Sequence, residues 1–118
     1  MDNSQNNRRE FLRIYRNFIL TFYEKDKPES MHDVSQVNNV SKGGVSFSST
    51  HPLEQGIIVK IELKTPIIAD AIHLEGVVLE CREKIADMIY EIRLKFHDIP
   101  PQAMVVLEKI ENYGNPEG

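Results

Sequence analysis

Three patterns predict a mainly β chain, a small six-stranded antiparallel barrel carrying a C-terminal α-helix. Met88, Tyr90, Ile92, Leu94 and Phe96 alternate with polar residues, the period of a half-buried strand. Ile57, Val59, Ile61 and Leu63 do the same against Lys60, Glu62 and Lys64. Pro100-Pro101 then opens a stretch in which Met104, Leu107 and Ile110 recur at helical spacing.

Taken in chain order, Met1–Asn7 is polar and Asn/Gln-rich, and a disordered tail is expected over 1–7. The folded domain is expected over 8–113, with a short tail at 114–118. Phe18, Leu20 and Phe22 share one parity and predict a first strand ending near Lys25. Asp26–Ser30 reads as a loop, His32–Val40 as the second strand, Ser41–Gly44 as a turn and Val45–Ser49 as the third strand. Pro52–Gly56 is a connection, and Thr65-Pro66 ends the strand begun at Ile57. Ile72 and Leu74 share a parity that changes to Val77, Leu79 and Cys81, which predicts a bulge at Gly76 turning both sets to one core. Gly114 is the expected helix stop.

Composition sets the class. The chain has 118 residues, enough for one core, with 41% apolar and 27% charged residues, as in a soluble globular domain. No apolar stretch approaches the length of a bilayer span, there is no charged-then-apolar leader, and Cys81 is the single cysteine, so a cytoplasmic chain without membrane insertion is expected. The histidines His32, His51, His73 and His97 lack metal-ligand spacing, and Ser41, Ser46, Ser48 and Ser49 lack a nucleophile-elbow context. The sequence therefore predicts neither an enzyme nor a cofactor or metal site.

Charge is unevenly placed. Residues 1–16 carry Arg8, Arg9, Arg13 and Arg16 against Asp2 and Glu10, a net +2, while the rest of the chain carries −6. A nucleic-acid polymer is bound through a broader basic face, so a small anion fits this distribution better. Arginine forks pair with phosphate oxygens or with guanine O6/N7. Asn39-Val40-Ser41-Lys42-Gly43-Gly44 places two polar side chains of one parity ahead of two glycines, which can offer acceptors to a base. Taken singly, the arginines read more readily as a solvated tail, and the turn as one satisfied by its own Asn and Ser.

Arg9-x-x-x-Arg13 before the first strand, followed by Asn39-x-Ser41-x-x-Gly44 between the second and third, resembles the PilZ domain over roughly residues 8–112. The resemblance implies a six-stranded barrel of split-barrel type and binding of the bacterial second messenger cyclic di-GMP on its outside. On this reading Arg9 and Arg13 grip guanine or phosphate, and Arg8 adds a third contact. Asn39 and Ser41 meet guanine N1–H and N2–H, and Gly44 permits positive φ and close backbone approach. Asn39 stands where the family more often has Asp, and Arg93 stands where the last strand often has glycine. Arg93 is expected to face outward, where it either reaches a phosphate or crowds the base.

Two functions stand at this point. One is a cyclic di-GMP receptor whose Arg8–Arg13 segment orders around the ligand and so signals to a protein effector. The other is a ligand-independent adaptor of the same family. A third, an oligonucleotide-binding barrel, is disfavoured by the acidic body and the lack of an aromatic platform. The pathway, the number of ligand molecules bound and the oligomeric state leave no signature in the sequence.

Overall fold

Period-two patterning places most of the chain, and the computed structural model describes residues 17–34 and 36–114 of it. Strand β1 (Ile19–Glu24) buries Leu20 and Phe22 and leaves Ile19 exposed. β2 is the short His32–Asp33, β3 is Gln36–Val40, and β4 is Gly44–Ser49, with Val45, Phe47 and Ser49 inward. β5 (Ile58–Lys64) buries Val59, Ile61 and Leu63, and β7 (Ile89–His97) buries Ile92, Leu94 and Phe96. With β6 (Ile72–Ile85) they form one antiparallel sheet of seven strands among the described residues, in the order β2-β1-β5-β6-β7-β4-β3. The sheet curls into a half-barrel.

The expected strand over His32–Val40 is in fact two strands on opposite edges, which is why seven strands replace six. β2 pairs with β1 through Thr21↔Asp33 and Phe22↔His32, whereas β3 pairs with β4. Only two residues separate Asp33 from Gln36, so the two edges approach within roughly 10 Å and the sheet has to curl. No glycine or proline marks this division. Inside the curl, the Phe22 and Phe47 rings pack with centroids 5.3 Å apart.

The expected bulge at Gly76 is corrected. Gly76 pairs regularly with Val59 and Phe96, and Ile72, Leu74, Gly76 and Val78 all face the core. Val77 and Leu79 therefore take the outward parity of His73 and Glu75, half-buried and exposed rather than inward, and the register shifts beyond them, between Val78 and Glu80. A core-facing glycine contributes no apolar signal, so it broke the visible alternation without breaking the strand. Met88 also departs from the inward set: it is exposed beside the turn closed by Met88 N–H to the Ile85 carbonyl, with Asp87 at φ 59°.

Helix α1 (Pro101–Gly114) starts after Asp98, whose φ is 51°, with Met104 N–H bonded to the Pro100 carbonyl. Ala103, Val106, Leu107 and Ile110 form its buried stripe, at the i, i+3, i+4, i+7 spacing of one helix face. Met104, expected inward, is only half-buried. The helix packs against β3 and β6.

Candidate functional site

Strand register carries the site across the outer face of the sheet. Asn39 on β3 lies opposite Ser46 on β4, Ser46 opposite Arg93 on β7, and Arg93 opposite Glu80 on β6. One rung below, Lys95 lies opposite Gly44 and Val77. Asn39, Ser41, Gly43, Gly44, Ser46, Leu79, Arg93 and Lys95 line an open cleft of about 420 Å³. Asn39 and Ser41 flank the buried Val40, so they share the outward face, as their parity predicts.

The turn is held from three sides. Ser41 N–H donates to the Gly44 carbonyl at 2.9 Å, and Gly43 N–H donates to Ser41 Oγ at 3.1 Å. Phe96 N–H reaches the Gly43 carbonyl at 2.9 Å, tying the turn to β7. Lys42 N–H donates to the Glu111 carboxylate, tying it to α1. Asn38, the extra residue where β3 shifts register, donates from Nδ2 to Ser48 Oγ at 3.3 Å.

Gly44 belongs here for a different reason from the one the sequence offers. Its backbone is not in the positive-φ region, where Gly56 is the only described glycine. A Cβ on Gly44 would lie 2.0 Å from the Leu94 carbonyl oxygen, so it is the pairing of β4 with β7 that excludes a side chain. Arg8, Arg9 and Arg13 lie outside the described residues.

Charge pairing separates this cleft from a larger one. The described strands carry six basic residues: Lys60, Lys64, Arg82, Lys84, Arg93 and Lys95. Lys60 binds Glu75 at 2.8 Å, Lys64 lies 4.0 Å from Glu62, and Arg82 and Lys84 both bind Glu91. Arg93 and Lys95 have no carboxylate partner among the described residues, although Glu80 is across the ladder from Arg93. Both are exposed in the small cleft. The larger cleft, about 660 Å³, is lined in part by Tyr23, Lys25, Lys60, Glu62, His73 and Glu75. There Glu75 accepts Lys60, Lys25 and His97 together, and the hydrogen bonds from Lys60 and His97 depress its carboxyl to about 2. Its cations are satisfied internally, whereas those on β7 are available.

The sequence reading missed Lys95 and Leu79. Lys95 carried a signal, being two residues from Arg93 on one strand face. Leu79 was obscured by Gly76, a core position without a side chain, which made Val77, Leu79 and Cys81 read as the inward set. Among the described residues no group of three or more His, Cys, Asp or Glu is placed to hold a metal ion, and no helix is long and apolar enough to cross a membrane. His32 stacks on His51 with ring centroids 3.8 Å apart, and His97 bonds Glu75.

No curated protein matches the chain. A solved structure described as the Bacillus subtilis inhibitor of motility (MotI/DgrA) shares the fold, with a TM-score of 0.65 at 13% identity. The match covers 85% of this chain and 48% of that one, so this chain spans about half the neighbour's length. The PilZ domain model matches residues 7–113, nearly the whole sequence, and the chain belongs to the PilZ domain family.

Proposed function

We propose that this domain is a cyclic di-GMP receptor and that the Asn39–Lys95 cleft is its ligand site. PilZ domains are generally receptors for this dinucleotide rather than enzymes. The observation that carries the reading to this cleft is the pairing pattern. Four of six strand cations are spent on carboxylates, and the two without a carboxylate partner among the described residues, Arg93 and Lys95, share one cleft with Asn39 and Ser41. Unpaired cations suit two phosphate charges, and the Asn39 amide and Ser41 hydroxyl offer acceptors to guanine N1–H and N2–H. Arg93 is exposed, which favours a phosphate contact over steric exclusion. Arg8, Arg9 and Arg13 supply further forks, and closure of that segment on the ligand relays the signal to a protein effector.

The test is calorimetric titration of the whole chain with cyclic di-GMP, with cyclic di-AMP and GTP as controls. Cyclic di-GMP is expected to bind best, and Arg9→Ala, Arg13→Ala and Arg93→Ala to lose about 1.5–3 kcal/mol each as charge-assisted bonds disappear. Asn39→Ala and Ser41→Ala are expected to narrow the preference over cyclic di-AMP. No heat with cyclic di-GMP, or equal affinity for both dinucleotides, overturns the assignment.

A further inference from the structure

We infer that Leu79 is the apolar seat for a purine ring in this cleft, an inference that rests on the cleft being the nucleotide site. A nucleobase presents polar edges and an apolar face. Asn39, Ser41, Arg93 and Lys95 address edges and phosphates, and the other apolar side chains of the lining, Val45 and Leu94, are buried in the core. Leu79 offers a hydrocarbon surface to the face: it lines the same cleft and is 42% exposed.

Its position comes from the backbone. In β6, Val78 pairs with Leu94 and Glu80 with Arg93, so Leu79 is the extra residue of a bulge. Bulges interrupt the ladder and re-aim side chains, and they concentrate beside functional sites. Here Leu79 keeps the outward parity of His73, Glu75 and Val77, and as the bulge residue it shares with Glu80 the place opposite Arg93, whose guanidinium has no carboxylate partner among the described residues. A base resting on Leu79 would remove that surface from water while Arg93 reaches its edge or a phosphate. The neighbouring outward pair Ile58 and Val77 lies outside the cleft's lining and provides a control.

The experiment compares the unmutated chain with Leu79→Ala, Leu79→Met and Ile58→Thr by titration with cyclic di-GMP. It also follows the Leu79 methyl resonances of the unmutated chain by NMR. Leu79→Ala is expected to weaken binding about threefold to thirtyfold through lost apolar contact, Leu79→Met to restore most of it, and Ile58→Thr to change nothing. The Leu79 methyls are expected to move upfield under the ring current of a bound base. If the unmutated chain binds while Leu79→Ala binds equally well and the methyls stay put, the seat is wrong and the site reading survives. An affinity loss without the methyl shift overturns the seat as well, marking an indirect effect. If the unmutated chain does not bind cyclic di-GMP, both readings fall.

Discussion

A missing methyl group sets how closely β4 and β7 approach at the cleft. With a Cβ on Gly44 falling 2.0 Å from the Leu94 carbonyl oxygen, the ladder between the strands could not keep its geometry. Gly43, one residue earlier, has nothing nearer than Ser41 Oγ at 3.7 Å. Gly44→Ala is therefore expected to cost about 1–3 kcal/mol of stability, as overpacking does. Gly43→Ala is expected to stay within about 0.5 kcal/mol. Urea denaturation midpoints of the two variants check this, and equal midpoints would contradict it. The contrast shows how far residues speak for themselves. Asn39 and Ser41 were legible because parity alone sets their common face. Gly44 was legible as a requirement but not in its cause, since a clash with a residue 50 positions away has no local signature. Leu79 was read inward because its neighbours' alternation seemed to demand it.

Within single elements, β6 makes the longest run and the least regular one. It holds Glu75 at the middle of an outward rung that passes from Tyr23 through Lys60 and Glu75 to His97, crossing β1, β5, β6 and β7. Because the Glu75 carboxyl is depressed to about 2 in the fold, against an ordinary 4.5, its contribution to stability is complete above about 4.5 and is lost as pH falls towards 2. Glu75→Gln is thus expected to destabilise the domain most near neutral pH, with the deficit shrinking steadily below pH 4.5. Urea melts of both proteins at pH 7, 4 and 3 measure it; a deficit that is the same at all three would mean the ion pairs contribute nothing. β5 and β7 were legible because every inward position is a large apolar residue. The core side of β6 was not, since one of its inward positions is Gly76, and β2 and β3 merged because no glycine or proline separates them while Val34, Val37 and Val40 recur across their junction.

At the scale of the molecule, a curled sheet turns its concave side to a core capped by α1, and the described residues of its convex side include two clefts of different character. One has its charges paired; the other has two to spare. The site turn is not an isolated loop, because the Glu111 carboxylate of α1 accepts the Lys42 amide. The fold class was legible from periodicity, whereas the order of strands was not, because alternation says which face a residue takes and nothing about its neighbour. The two-residue link from β2 to β3 joins the outermost strands of that order. A ring closed by hydrogen bonds resists widening at every bond; one closed by a tether resists only while the tether is taut. The girth of this domain is accordingly a matter of linker length. Four Gly/Ser residues inserted after Val34 are expected to lower stability by about 1 kcal/mol, the entropy of a loop three times longer, with the β1–β5 and β4–β7 ladders unchanged in amide exchange. Collapse of those ladders would show that the seam is a hinge pin rather than a drawstring.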